Sequence, residues 1–271
     1  MSRTVHAVRC LQWLPGKLMA QVPQVPSVHS SLGSLMGRVS TTLALGPALP
    51  ALNRHHAWHC HTSLPTVQRL LPQVQGLSPG QTQLLLDWMH DQEAAGPLLQ
   101  QLPCQLCHSD ANENNIVMSQ DGSEAAGLID FGDCCYSWRV SEVAIAMLYA
   151  MLQLVPPPDR TPPSLFFPPS DQQGLGQAPP SIEALFAAGW RVLAGFQELV
   201  PLTPLELHSL PLLLRARLCL SLSHGRVAAQ RTPGNAQYLL LTQQPGWRLL
   251  ELLHTAPHIS QWDPARTASG A

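Results

Sequence analysis

Charge is scarce in this chain, and unevenly spread. Only 12% of its 271 residues are Asp, Glu, Lys or Arg, about half the usual share of roughly 25%. Lysine occurs once, as Lys17, and no Asp or Glu precedes Asp87. Pro, Gln, Ser and His must therefore cover much of the surface, which predicts exposed apolar area able to meet a partner. The net charge of −2 gives nucleic acid or an anionic membrane no electrostatic reason to bind. Long apolar runs are missing too. The stretch from Val143 to Val155 contains Gln153 and is too short to span a bilayer, and Leu205 to Leu222 is broken by His208, Arg215 and Arg217. Seven cysteines, an odd number without regular spacing, argue against a disulfide framework and for a reducing compartment. What is plentiful is apolar content. At 45% hydrophobic, the chain can bury one sizeable core as a single domain.

The acids that do occur are concentrated. Six fall between Asp110 and Asp133, in a segment that carries a motif. Cys107-His108-Ser109-Asp110-Ala111-Asn112-Glu113-Asn114-Asn115 reads as His-x-Asp with an Asn five residues beyond the Asp, and Ile129-Asp130-Phe131-Gly132-Asp133 follows. Phosphoryl transfer needs this set: one carboxylate to orient and deprotonate an attacking hydroxyl, plus an amide and a second carboxylate to hold Mg²⁺ against nucleotide phosphates. An isolated Asp-Phe-Gly is usually a turn, and a lone histidine is usually structural. Here the flanks agree with the chemistry. Asn115-Ile116-Val117-Met118 reads as a short strand, Asp121-Gly122 as a hairpin turn and Leu128-Ile129 as the returning strand. Such a hairpin sets Asn115 beside Asp130, and hard oxygen ligands suit a divalent cation.

Other chemistries compete for the same residues. Cys104-Gln105-Leu106-Cys107-His108 matches the Cys-x-x-Cys-His signature of c-type haem attachment. That reading needs an export route and leaves Asp110, Asn115 and Asp130 without work. His55, His56, His59, Cys60 and His61 could offer zinc ligands, but in no standard spacing, so a His-rich surface loop is the simpler reading.

With these residues in view, the chain resembles the aminoglycoside-phosphotransferase and choline-kinase group of small-molecule kinases, where His-Gly-Asp-x-x-x-x-Asn-Ile precedes Ile-Asp-Phe-Gly-Asp. It looks most like the hydroxylysine-kinase branch of that group. The likeness is carried by the segments from Val8 to Gly16, Gly127 to Asp133, Val140 to Tyr149 and Val192 to Thr203, and runs from about residue 5 to about residue 255. It implies an α+β, protein-kinase-like fold, mainly the helical C-terminal lobe with a short catalytic β-hairpin. It also implies transfer of the γ-phosphate of GTP to the hydroxyl of 5-hydroxy-L-lysine, with no nucleic-acid or membrane partner. Asp110 would then be the base, Asn115 and Asp130 the Mg²⁺ ligands, and His108 a brace for the loop. Asp133 and Glu142 are weaker candidates for holding substrate ammonium groups, a structural role being as good for each, and Glu113 is expected at the surface.

Two departures qualify the likeness. Ser109 stands where the group has Gly, so a Cβ would crowd the loop if that position requires positive φ. Lys17 follows the Pro15-Gly16 turn just after the hinge between lobes, the wrong place for a phosphate-binding lysine, and nothing before Trp13 is long enough to form a nucleotide lobe. The expectation is a kinase that begins at its hinge, with 1–16 as a hinge strand, 17–256 as the helical lobe and 257–271 as a flexible tail. A noncatalytic binding lobe and a kinase for another amino alcohol or aminoglycoside stay open as alternatives. The first 86 residues, with six Arg or Lys and no acid, mimic a transit peptide. The strand match over Val5 to Leu14 argues against a leader, which makes the cytoplasm the expected location.

The rest reads as mostly helix. Leu32, Leu35, Met36, Val39 and Leu43 share a face over Ser31 to Leu45, and Leu84, Leu85, Trp88 and Met89 mark a helix closing near Gly96-Pro97. Helices are also predicted over Val140 to Met151, Ile182 to Leu199 and Gln237 to His254. Thr203-Pro204-Leu205-Glu206 is a capping box that should start a long helix, which Pro211 threatens to kink. Nine prolines in residues 156–180 predict a loop.

Overall fold

The computed structural model describes residues 10–54, 56–155, 181–256 and 258–263. The Pro-rich segment 156–180, residues 1–9 of the proposed hinge strand and His55 lie outside those residues.

Two small sheets pack against a helical body. In the first, β1 (Lys17–Leu18) pairs antiparallel with β3 (Ile116–Met118), which pairs antiparallel with β4 (Ala125–Leu128). In the second, β2 (Cys104–Cys107) pairs antiparallel with β5 (Cys135–Trp138), so that Cys107 faces Cys135. The hairpin foreseen at the motif is present, displaced by one or two residues. Its turn is tied by Ser119 and Ser123 hydroxyls donating to Asp121 Oδ1, and β4 ends at Leu128 rather than Ile129.

The expected strand over Val5 to Leu14 is not formed within residues 10–14. Pairing starts only after Pro15, which has no N–H to give a ladder. Gly16 then allows close approach, since a Cβ there would lie 2.0 Å from the Met118 carbonyl oxygen. Leu11 and Trp13 are 83% and 84% exposed, an apolar surface of the kind the sparse charge predicts.

The helices are α1 (Pro26–Ala44), α2 (Ser63–Leu70), α3 (Pro79–Leu99), α4 (Val140–Leu152), α5 (Ile182–Gln197), α6 (Pro204–Arg231), α7 (Ala236–Leu239) and α8 (Gln243–Thr255). Several run differently from expectation. Helix α1 begins a turn and a half before Ser31, because Pro26 at its first position is preset for helix while Val25 before it is extended. Helix α3 starts at a Ser78/Gln81 capping box and passes through Pro97. Helix α6 passes through Pro211 unbroken, anchored by the Thr203/Glu206 box. Neither α2 nor the division of the last helix into α7 and α8 was foreseen.

Helix α4 is the centre of the body: all thirteen of its residues are buried, as suits a helix that is apolar on every face. Helices α1 and α5 cross closely through glycine. A Cβ on Gly33 would meet the Val192 carbonyl oxygen at 2.1 Å, and one on Gly195 the Ser30 carbonyl oxygen at 2.4 Å. The tail is not loose throughout. Ile259–Trp262 forms a 3-10 turn, and Trp262, 2% exposed, stacks on Phe186 at 4.9 Å. Among the described residues, no helix is long and apolar enough to cross a membrane.

Candidate active site

The segment 108–115 links the two sheets, leaving β2 and entering β3, while 129–134 links β4 to β5. Pairing of β3 with β4 and of β2 with β5 therefore brings the halves of the motif together at both ends. Ile129 N donates to the Asn115 carbonyl at 3.0 Å, which places Asp130 one residue from the partner of Asn115.

The first loop is built into the interior. Glu142, in the first turn of α4 and 1% exposed, accepts the amides of His108 at 3.0 Å and Ser109 at 2.7 Å. Burial pushes its carboxyl above the ordinary range even though both amides favour the charged form. Glu142 is thus a structural group, not an ammonium holder. Ser109 does adopt positive φ, 70°; its hydroxyl meets Cys135 Sγ at 3.2 Å in place of open space. His108 is fully buried. Its Nδ1 accepts from Asp110 N at 3.3 Å and its Nε2 lies 3.0 Å from the Ile129 carbonyl, so a proton on Nε2 satisfies both. Phe131 packs edge-on against the same ring at 4.8 Å. The histidine ties one loop to the other.

Asp110 ends up with three donors. Its Oδ2 accepts from Asn112 Nδ2 at 2.9 Å and Asn115 Nδ2 at 2.8 Å, and Asn115 Nδ2 also donates to the Asp110 carbonyl at 2.9 Å. Its Oδ1 accepts from Arg217 Nη2 at 2.6 Å. The second half of the motif is freer. Asp130 is exposed, sits at φ 62° and accepts from Gly132 N at 3.2 Å. Asp133 pairs with His56 Nε2 at 3.2 Å, and Arg54 Nη2 donates to the Gly132 and Cys134 carbonyls.

Asp110, Asn115, Asp130 and Asp133 all open on one cavity of about 580 Å³, whose other walls include Glu113, Trp58, Tyr149 and Arg217. Glu113 is not a plain surface residue. It is half-buried against this cavity, its Oε2 is buried without a partner, and burial raises its carboxyl to about 6. Arg217 was visible in the sequence only as an interruption of an apolar run. Cys104 and Cys107 lie three apart on β2, hence on opposite faces, so they do not converge as a metal or haem pair would. In the His-rich segment, burial and the neighbouring His56 hold His59 down to about 4. Among the described residues, no group of three or more His, Cys, Asp or Glu could by itself hold a metal.

A model of the phosphotransferase enzyme family, APH, matches residues 2–161, and the chain belongs to that family. Its curated relatives narrow the comparison. The hydroxylysine kinase of Bos taurus is 28% identical over 256 residues, covering 91% of this chain and 60% of the relative. That of Xenopus laevis is 26% identical over 260 residues, covering 92% and 62%. The chain thus spans about three fifths of the length of the curated relatives it matches. Among solved structures, amicoumacin kinase hAmiN, in complex with AMP-PNP, Ca²⁺ and Ami, superposes with a TM-score of 0.56 at 18% identity over 93% of this chain and 67% of that one. A microcompartment-associated aminopropanol kinase gives 0.55 at 13%, over 87% and 64%. Both share the fold: a mostly helical α+β body with small sheets.

Proposed function

We propose that this chain carries the acceptor and metal site of a small-molecule kinase that transfers the γ-phosphate of GTP to the hydroxyl of 5-hydroxy-L-lysine, yielding GDP and 5-phosphohydroxy-L-lysine. The carrying observation is the convergence of Asp110, Asn115 and Asp130 on one cavity. The relatives named hydroxylysine kinase support the choice of acceptor.

In this reading Asp110 accepts the acceptor's hydroxyl proton. The freed oxygen bonds to the γ-phosphorus as the bond to the β–γ bridging oxygen breaks, and the nucleoside diphosphate leaves with that electron pair. The residues present fit a magnesium ion. Asn115 spends its amide hydrogens on Asp110, which leaves its Oδ1 for a cation in the cavity that Asp130 also lines. Two such oxygens without an all-protein cage are what Mg²⁺ takes when phosphates complete its shell. Bound there, the ion would neutralise charge on the phosphates. Asn115 and Asp130 would hold it, while His108 and Glu142 keep the loops at fixed separation. Seven cysteines in irregular spacing support a reducing compartment, and we place the protein in the cytoplasm.

One observation favours a second reading, a lobe that binds without transferring: Lys17 is exposed on β1 and does not line the cavity that holds Asp110. A phosphate-transfer assay with GTP, Mg²⁺ and 5-hydroxy-L-lysine, with ATP and other amino alcohols alongside, separates the two. Transfer that falls by roughly 10²–10⁴-fold in Asp110→Asn supports the kinase; a folded parent without transfer supports the binding lobe.

A further inference from the structure

Arg217 has no part in the motif, yet it touches the motif's central residue. It projects from the middle of α6, with its side chain 3% exposed, among Leu213, Leu214, Ala216, Leu218 and Leu220, which are essentially inaccessible. A guanidinium in such a place is a poor stabilising device, since a buried ion pair is commonly no better than a hydrophobic replacement. Its setting is nevertheless restrictive. Nη1 donates to the Trp58 carbonyl at 3.1 Å, and Cζ lies 5.2 Å from the Trp58 ring and 5.7 Å from the Tyr149 ring. Held on those sides, the planar group presents Nη2 to Asp110 Oδ1 at 2.6 Å. The body around it is anchored as well: Arg139 makes two bonds to Glu206, at 2.6 and 2.8 Å, at the start of α6.

A count of acceptor sites on Asp110 then discriminates its oxygens. A carboxylate oxygen offers about two lone-pair positions. Oδ2 has both taken, by Asn112 and Asn115, whereas Oδ1 has one taken, by Arg217. We infer that Arg217 is a positioning residue for phosphate transfer, clamping Asp110 so that Oδ1 is the oxygen that receives the acceptor's hydroxyl proton. The inference rests on the kinase reading above. Without the clamp, the carboxylate is tied at Oδ2 alone and can swing about that anchor, taking Oδ1 out of line. Misplacement by about 1 Å costs on the order of 10²-fold in rate.

The test uses the whole chain, with GTP, Mg²⁺ and 5-hydroxy-L-lysine, comparing the parent with Arg217→Ala and Arg217→Lys, each checked for a cooperative thermal melt. Arg217→Ala should lower kcat by about 100-fold while acceptor KM stays within roughly twofold. Arg217→Lys should recover part of the loss. Guanidinium ion at millimolar concentration should restore turnover to folded Arg217→Ala but not to Asp110→Asn. Should Arg217→Ala fail to fold, Arg217→Lys alone decides: lowered kcat at unchanged KM supports the clamp. An active parent with an indifferent Arg217 variant, or with a loss confined to KM, overturns the inference and leaves the kinase reading standing. A folded parent without transfer overturns both.

Discussion

The two halves of the motif are built on opposite plans. The loop carrying His108, Ser109 and Asp110 is largely interior and densely hydrogen-bonded: Glu142 takes two amides, His108 bridges to Ile129, and Asp110 has three donors. The turn carrying Asp130 and Phe131 is exposed, and among the described residues Asp130 has one side-chain bond, from Gly132 N. A group that must deliver a proton acceptor in one orientation benefits from being fixed before substrate arrives. A group meant to share a cation with a diffusing nucleotide must stay open, and its order is completed by what it binds. The contrast also separates stability from activity, because the first half is part of the core and the second is not.

That separation can be broken at Glu142, where the largest effect is expected. Glu142→Ala leaves two buried amides without acceptors, each worth roughly 1–3 kcal/mol. A loss of about 2–6 kcal/mol in urea unfolding is predicted, and a loss below about 1 kcal/mol would show that the loop does not depend on α4. Glu113 should give a smaller, pH-dependent signal. Its carboxyl rises from 4.5 to about 6 in the fold, so the protonated form is the one the folded state prefers. The associated stability is fully present below about pH 4.5 and is lost as pH rises through about 6. At most about 2 kcal/mol is involved, and less for a half-buried group. Unfolding curves of the parent should therefore weaken between pH 4.5 and 7 relative to Glu113→Gln, and parallel curves would contradict the assignment.

The sequence made some of this legible and hid the rest for a physical reason. Local signals held: the Thr203/Glu206 box starts a long helix, apolar periodicity marks α1 and α4, and the Asp121-Gly122 turn folds the hairpin. Each depends on residues a few positions apart. The pairing of β2 with β5, the seat of Trp262 on Phe186 and the approach of Arg217 to Asp110 each join residues far apart in the chain, the nearest of them Cys107 and Cys135. Nothing in the composition of either partner announces such a contact. Arg217 and Glu142 share one faint trace, a charge inside an apolar stretch of helix. A charge in that position must find a partner, and only the fold says which. Ser109 was legible as a question, because a side chain where the resembled family has Gly asks about φ.

That question yields the next prediction. Ser109→Gly removes the Cβ strain of φ 70° but also the contact with Cys135 Sγ and some unfolded-state restriction. A net gain of no more than about 1 kcal/mol is expected, read as a small rise in Tm, and a marked fall would mean that the Cys135 contact outweighs the strain.

Asp130→Asn gives the smallest stability change and the sharpest form of the comparison. Asn tolerates the left-handed backbone at φ 62° nearly as well as Asp does, and the side chain is exposed, so stability should stay within about 0.5 kcal/mol. The amide keeps an oxygen for Gly132 N but loses the charge that would draw a divalent cation. Transfer should then fall by at least roughly 10–100-fold, the loss that even outer partners of a metal ligand cause, and raising Mg²⁺ should recover part of it. Glu142→Ala would show the reverse order, with stability falling most and activity falling with it. If Asp130→Asn instead destabilises the fold as much as Glu142→Ala does, the exposed turn is as much a part of the core as the buried loop, and the division of labour between the two halves does not exist.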